Sequence, residues 1–188
     1  MIVGISSAQG QGKSTVLSSL KEMGYSVVSI NTAREVISEW GTSLSEIESD
    51  PEMRVQFQNE ILDRHLAAIN KIENDNDVHF VERTCVDMFV YTVLSLGVFN
   101  EYDTWLKSYY EVCKKSQEVF DKVVLLEGLS TETIEKDGVR STNSHFGDIV
   151  KRAIHRYVYE MCDESKIIHV NTANHEERIT QIIKECRQ

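Results

Sequence analysis

The sequence predicts an α/β fold in which a parallel β-sheet is covered by helices on both faces. Short apolar segments rich in β-branched residues alternate along the chain with longer segments of helical periodicity, which is typical of β–α–β units. The first strand segment leads directly into a glycine-rich loop that opens a helix. The 188 residues show no internal repeat and no change of composition that would mark a linker, so we expect one domain over residues 1–188.

Five segments have the pattern of strands: MIVGIS, YSVVSI, VHFVE, KVVLLEG and KIIHVN. Helices are expected at KSTVLSSLKEMG, TAREVISEWG, the long stretch that begins near Pro51, MFVYTVLSLG, YDTWLKSYYEVCKKSQEVF, GDIVKRAIHRYVYEMCDE and NHEERITQIIKEC. Ser49 or Asp50 is the expected cap of the helix at Pro51, because proline fits a first helical turn. The polar segment from Gly128 to His145 predicts a loop or lid, and the lid region spans about 128–156.

Charge and composition exclude several classes of protein. A net charge of −10 argues against a protein that resides on duplex DNA, although a local basic groove stays open as an alternative. No apolar run reaches the length of a transmembrane helix, and MIVGI is too short for a signal peptide. The four cysteines form no Cys-x-x-Cys pair, which fits a reduced, cytoplasmic setting and does not fit structural zinc.

The stretch GISSAQGQGKST, residues 4–15, has the pattern of a phosphate-binding loop. Gly10 and Gly12 allow successive backbone N–H groups to converge on a polyphosphate, and the start of the following helix adds its dipole. Ser7 stands where the usual pattern has its first glycine, so we expect its backbone not to adopt a positive φ. The loop therefore predicts a bound polyphosphate together with Mg²⁺. The cofactor-binding residues are expected to be Gly10, Gln11, Gly12, Lys13, Ser14 and Thr15.

Within this loop the roles differ. Lys13 would reach the β- and γ-phosphates, Ser14 would ligate Mg²⁺, and Thr15 would contact the α-phosphate. Such a loop does not by itself distinguish kinases from motors or switches. The ends of the other strands are the next place to look, because open parallel sheets bind ligands there.

An acid and an arginine, Glu82 and Arg83, follow the third strand segment. The carboxylate can hold magnesium through water or take a proton from an acceptor hydroxyl, and the arginine can bind a phosphate or an acceptor group in a bidentate manner. A surface ion pair is the alternative. Asp87 lies at the start of the next helix, where a substrate contact and a helix-capping role are both open.

Further basic residues follow the second and fourth strand segments. Arg34, in a first helical turn, is a candidate for acceptor binding or an exposed helix residue. Arg140 lies in the lid, and Lys151, Arg152 and Arg156 follow it. Arg152 and Arg156 share one helix face and are expected to clamp transferring phosphate, with a solvated face as the alternative. His155, between them, is expected to be a structural or surface residue.

The segments SSAQGQGKST, NTAREVI, VERTCVDMFVYT and FDKVVLLEG, with KDGVR after them, occur in an informative order and spacing. Together they resemble the small P-loop kinase family that includes the ribosylnicotinamide kinase domain and phage-encoded nucleoside and nucleotide kinases, over nearly the whole chain. This resemblance implies a three-layer P-loop NTPase fold of nucleoside/nucleotide kinase type, with a five-stranded parallel sheet in the order 2-3-1-4-5 and a lid. It also implies ATP–magnesium as donor and a nucleoside, nucleotide or similar hydroxyl as acceptor.

The resemblance assigns roles to single residues. It implies that the catalytic residues are Lys13, Glu82, Arg83 and Arg140. It also implies that the metal ligands are Ser14 and Glu82. It implies that Arg34 and Asp87 bind substrate, and the shared helix face of Arg152 and Arg156 adds these two residues to the expected substrate-binding set. Asn31 stands where relatives often carry an acid, and Glu82 replaces a frequent aspartate, although deoxynucleoside kinases also use Glu-Arg here. The departure at Asn31 leaves the identity of the base and of the acceptor open.

From these observations we expect a cytoplasmic phosphotransferase whose acceptor is a deoxynucleoside or nucleoside monophosphate, including one with a modified base. Two alternatives stay open: a kinase that acts on hydroxymethylated bases within DNA, and a nucleotide-dependent switch ATPase without a small-molecule acceptor. The helix around Trp105, Tyr109 and Tyr110 is expected to pack in the core, and a homodimer through that helix is the alternative.

Overall fold

The computed structural model of the protein describes residues 1–30, 32–73, 75–96, 100–129 and 144–187. Within these residues one five-stranded sheet forms, with every neighbouring pair of strands parallel and the order β2–β3–β1–β4–β5. Its strands are Ile2–Ser6 (β1), Ser26–Val28 (β2), His79–Glu82 (β3), Lys122–Glu127 (β4) and Ile167–Asn171 (β5). The predicted fold class and strand order are therefore confirmed.

Helices connect successive strands, as parallel pairing requires. In the described residues they are Lys13–Glu22 (α1), Thr32–Trp40 (α2), Leu44–Ser49 (α3), Pro51–Ile69 (α4), Cys85–Leu96 (α5), Asp103–Ser116 (α6), Ser144–Met161 (α7) and His175–Cys186 (α8). Each predicted helix is present, and α7 begins before the expected Gly147. Arg140 and Asn31 lie outside the described residues.

The sheet is buried on both faces because its strands alternate their side chains between two apolar clusters. On β4, Val124 and Leu126 pack with α1 and α8, whereas Val123 and Leu125 pack with the helices on the opposite face. The inner positions of β1, β3 and β4 are correspondingly apolar, and the acidic residues Glu82 and Glu127 lie at the carboxyl ends of their strands.

Helix α4 begins as predicted. The Asp50 carboxylate accepts hydrogen bonds from the backbone N–H groups of Glu52 and Met53 at 2.9 and 3.0 Å. Helix α3 was not predicted, because its six residues are too few to show helical periodicity. A capping box defines it: Ser43 Oγ accepts from the Glu46 N–H, and Glu46 accepts from the Ser43 N–H at 2.8 Å.

Helix α6 packs its aromatic residues into the core. Tyr109 is buried, and Trp105 and Tyr110 are partly buried against the same cluster. The Tyr110 ring meets the Phe89 ring edge to face, with centroids 5.1 Å apart. The expected core packing of this helix is thus observed. In the described part of the chain no helix is long and apolar enough to cross a membrane.

Candidate active site

The phosphate-binding loop follows β1 and ends at the first residue of α1. Gly10 and Gly12 adopt φ of 79° and 76°, which glycine accommodates without strain. Ser7 does not adopt a positive φ, so its side chain is compatible with the first position of the motif. Gly12 is also the N-cap of α1, whose first turn contains no acidic side chain. These features suit a polyphosphate, since no acidic side chain in the first turn competes with it for the N–H groups at the helix start.

Arg178 of α8, which is only 2% exposed, supports the loop from the interior of the protein. Its guanidinium donates hydrogen bonds to the backbone carbonyls of Gln11 (2.7 Å), Glu127 (2.7 Å) and Thr172 (2.6 Å). It thereby joins the phosphate loop to the segments that follow β4 and β5. Burial lowers the pKa of Arg178, yet the carbonyl oxygens solvate its charge.

Arg178 was not predicted as a site residue, because the helix pattern HEERITQIIKEC surrounds it with charged residues that are typical of an exposed face. No local signal distinguishes it from its charged neighbours, and its role depends on the tertiary contact between α8 and the loop. A Cβ atom at Gly12 would lie 2.9 Å from Arg178 Nη1, so the absence of a side chain at Gly12 permits this contact.

Gln11 fixes the loop from a second direction. Its Nε2 donates to the Leu129 carbonyl at 2.9 Å, and its Oε1 accepts from the Leu129 N–H at 3.0 Å. This reciprocal pair ties the loop to the segment after β4. Gln11 was predicted as a cofactor-binding residue, and in the structure its side chain shapes the loop.

Glu82 and Arg83 lie beside the loop at the carboxyl end of β3. In the sheet register Glu82 is opposite Ile5 of β1, and the Arg83 N–H donates to the Ile5 carbonyl at 3.1 Å. Both residues are half-buried. Among described residues Arg83 is the only non-glycine with a positive φ, at 71°. Such strain persists only where the surroundings enforce it, and it is concentrated at functional sites.

The Arg83 side chain is enclosed by an aromatic ring and a carboxylate. Its guanidinium carbon lies 5.1 Å from the centre of the Tyr91 ring, and Nη1 lies 4.0 Å from Asp87 Oδ1. Burial acts to lower the pKa of Arg83, but Tyr91, Asp87 and Glu82 outweigh it and raise the net value. The guanidinium is therefore oriented and charged.

Asp87 caps α5 and also contacts the phosphate loop. Its Oδ2 accepts from the Thr84 N–H (3.0 Å) and hydroxyl (3.1 Å), while Oδ1 accepts from the Ser7 N–H at 3.3 Å. The side chain is fully buried. The capping role that sequence analysis left open is therefore present, and Asp87 joins the start of α5 to the start of the loop.

His65 of α4 lies near this group and was not singled out by its sequence. It is fully buried, and neither ring nitrogen has a hydrogen-bond partner among the described residues. Burial lowers the pKa of His65 to about 4, with a smaller lowering by Arg83 against an opposing effect of Asp87. The imidazole is neutral at physiological pH.

The other predicted residues differ in how exposed they are and in which part of the fold they occupy. Lys13 is largely buried, while Ser14, Thr15 and Arg34 are exposed. Arg152 lines a cavity of about 340 Å³ beside the end of β4, and Arg156 is 77% exposed in an ion pair with Glu160 at 3.4 Å. A larger cavity, of about 710 Å³, lies between β2 and α4, and no predicted site residue lines it. The larger cavity therefore lies away from the predicted site residues.

The sequence matches a family described as AAA domain over residues 3–178. The chain belongs to this AAA-domain family of P-loop proteins. No curated protein matches the sequence. The part of the resemblance that concerns phage-encoded proteins stays a prediction.

Solved structures share the fold of this AAA-domain chain. Deoxyadenosine kinase from M. mycoides with bound dATP has a TM-score of 0.70 at 20% identity, and 100% of each chain is covered. The same enzyme with the products dCMP and a flexible dCDP has a TM-score of 0.70 at 19% identity, covering 100% of this chain and 99% of that one. NadR in complex with NAD and AMP-PNP has a TM-score of 0.69 at 13% identity, and this chain spans 49% of its length. At these identities the likeness establishes the fold.

Proposed function

We propose that the protein is an ATP-dependent phosphotransferase whose acceptor is a deoxynucleoside or a nucleoside monophosphate. The observation that carries this proposal is the position of Glu82 and Arg83, on the strand next to β1 and beside the phosphate loop. In a nucleotide switch an acid there would serve the magnesium ion, whereas an oriented acid–arginine pair can also hold an acceptor hydroxyl and an acceptor phosphate. Deoxyadenosine kinase, which shares this fold, was solved with dATP and with dCMP, and this supports the choice of acceptor class.

In this proposal the chain positions two substrates and neutralises charge. The N–H groups around Gly10 and Gly12 and the Lys13 ammonium hold the ATP phosphates. Bound Mg²⁺ would supply further charge neutralisation, with Ser14 as a ligand and Glu82 beside it. Glu82 accepts the proton of the attacking hydroxyl or orients that hydroxyl, and Arg83 binds the acceptor.

The remaining predicted residues act from the lid side. Arg140, Arg152 and Arg156 would stabilise the transferring phosphoryl group when the lid region, about 128–156, closes. Among them Arg152 lies on the cavity beside Glu127, whereas Arg156 must leave its ion pair with Glu160 to take part. We therefore expect Arg152→Ala to reduce activity more than Arg156→Ala.

The experiment is ADP release from magnesium–ATP across a panel of ribo- and deoxynucleosides, their monophosphates, ribosylnicotinamide, and DNA that contains hydroxymethylated pyrimidine. Stimulation by one small acceptor, lost in Lys13→Ala and strongly reduced in Glu82→Gln, supports the proposal. Glu52→Gln, at an exposed position of α4, is the matched control and should keep full stimulation.

Two other outcomes would contradict it. Stimulation by DNA alone, with salt-sensitive binding, identifies a kinase that acts on bases within DNA. Slow hydrolysis that no acceptor changes identifies a nucleotide-dependent switch.

A further inference from the structure

A cluster of three side chains lies at the carboxyl ends of β4 and β5. Glu127 ends β4, His169 lies on β5, and His155 lies on α7. Because Leu125 is paired with His169, Glu127 and His169 point to the same face of the sheet. Glu127 Oε2 lies 2.8 Å from His169 Nε2 and 3.2 Å from His155 Nδ1.

The two imidazoles converge on a single carboxylate oxygen. The Glu127 side chain is only 9% exposed, whereas those of His155 and His169 are 44% and 32% exposed. All three ligand atoms lie within 4.8 Å of one another. Tetrahedral Zn²⁺ with ligands at about 2.0–2.2 Å needs ligand atoms about 3.3–3.5 Å apart. Small movements of the two exposed rings therefore reach a coordinating geometry.

The chemistry of the set selects the metal. Two imidazoles with one carboxylate favour Zn²⁺, Co²⁺ or Ni²⁺ over Mg²⁺ and Ca²⁺, which prefer oxygen ligands throughout. Three protein ligands leave the fourth position of a tetrahedral zinc ion vacant, as in zinc sites that bind an exchangeable ligand.

The space beside the cluster suits such a ligand. A cavity of about 340 Å³ opens onto Glu127 and His155 and is also lined by Asp148, Lys151 and Arg152. The two cationic side chains favour an anionic group at this opening, and Asp148 offsets part of that charge.

We propose that Glu127, His155 and His169 form a binding site for one divalent transition metal of the Zn²⁺ type, with its fourth position facing the cavity. Neither the phosphate loop nor the Glu82–Arg83 pair contributes a ligand, although Arg152, which lines the cavity, is also one of the residues proposed to act on the transferring phosphoryl group. A metal ion bound there would join α7 to β4 and β5. The sequence did not indicate this site because the three residues are far apart in the chain.

The test is a Zn²⁺ titration of tag-free, nucleotide-free protein against a colorimetric chelator, with Co²⁺ absorption as a second measurement. We expect one Zn²⁺ per chain, visible Co²⁺ bands of tetrahedral intensity, and no competition from millimolar Mg²⁺. His155→Ala and His169→Ala should each weaken binding by about 10-fold or more, and Glu127→Gln should do the same. Bound Zn²⁺ should also raise the melting temperature.

The control is His175→Ala, which removes an imidazole that is hydrogen-bonded to Ser19 and lies outside the cluster. It should bind Zn²⁺ as the unchanged protein does. His155 is exposed on a helix surface, so His155→Ala remains informative even where substitution of the buried Glu127 disturbs folding. Failure of the unchanged protein to bind one Zn²⁺, or equal binding by the His155→Ala and His169→Ala variants, would overturn the proposal.

Discussion

Gly12 shows how one missing side chain permits both a backbone conformation and a tertiary contact. Its φ of 76° is unfavourable for other residues, and a Cβ would meet Arg178 Nη1 at 2.9 Å. Gly24 has a φ of 91° but nothing within 4 Å of a Cβ. Gly24 therefore shows the effect of a positive φ alone, whereas Gly12 combines that effect with the contact to Arg178.

We expect Gly12→Ala and Gly24→Ala each to lower the free energy of unfolding by about 1 kcal/mol through the positive φ. Only Gly12→Ala should also abolish detectable ATP binding, because Arg178 and the loop must move apart. Denaturant unfolding and nucleotide titration measure the two effects. Equal nucleotide affinity in both variants would show that the contact with Arg178 does not shape the loop.

His65 makes the stability of the protein depend on pH. Its ordinary pKa of 6.5 applies to the unfolded chain, and burial lowers the folded value to about 4. As the pH falls from about 6.5 to 4, the unfolded chain takes up a proton that the folded chain excludes. The free energy of unfolding therefore falls over this window, by about 3 kcal/mol in total.

We expect His65→Leu to flatten this part of the pH–stability curve, because the replacement does not titrate. Urea unfolding at pH values from 4 to 7, a range that spans both pKa values of His65, measures how the free energy of unfolding changes with pH. His145→Leu, at an exposed position, controls for the loss of a histidine as such. An unchanged slope in His65→Leu would mean that another group causes the acid sensitivity.

At the scale of elements, the start of α5 is coupled to the phosphate loop through Asp87. The same carboxylate caps the helix and accepts from the Ser7 N–H. Asp50 lies on the surface and caps α4 from the N-cap position, where its carboxylate accepts from two N–H groups of the first helical turn. Asp87 instead lies inside α5 and accepts from Thr84, directly before the helix, and from the loop.

Removal of either cap should destabilise the protein, by about 1 kcal/mol for Asp50→Ala and about 2 kcal/mol or more for Asp87→Ala, which also leaves the buried Ser7 and Thr84 donors unpaired. Only Asp87→Ala should weaken ATP binding. Thermal unfolding and a nucleotide titration of both variants check this. Retained affinity in Asp87→Ala would assign that residue to capping alone.

At the scale of the whole molecule, each of the two apolar clusters on opposite faces of the sheet contains at least one buried cysteine. Cys85 and Cys113 lie in one cluster and Cys186 in the other, and all three are buried and free. Burial raises the pKa of Cys85 to about 12 and that of Cys186 to about 11. The thiolate, which is the reactive form, is therefore scarce in the folded protein.

We expect these three cysteines to resist a thiol reagent at neutral pH and to become reactive at one common denaturant concentration, because the shared sheet makes both faces unfold together. Mass spectrometry of the labelled protein resolves each site. Labelling of Cys186 at a lower denaturant concentration than Cys85 would show that the two faces unfold separately.

The features that sequence predicted are those with a local pattern. Alternating strand and helix segments, the loop through Lys13, and the residues directly after β3 follow from short-range spacing. The roles of Arg178 and His65 depend on which helices pack beside the loop, and no local pattern reports such packing. The same holds for His155 and His169, which lie on different elements and meet only in the folded chain.

The contact of Arg178 with Gln11 joins residues that are 167 positions apart in the chain. During synthesis the phosphate loop leaves the ribosome well before α8 does. The loop therefore acquires the support of Arg178 only after α8 has been translated. A nascent chain that lacks α8 has the complete loop sequence but lacks the arginine that holds it, so we expect nucleotide capture to wait until α8 has emerged.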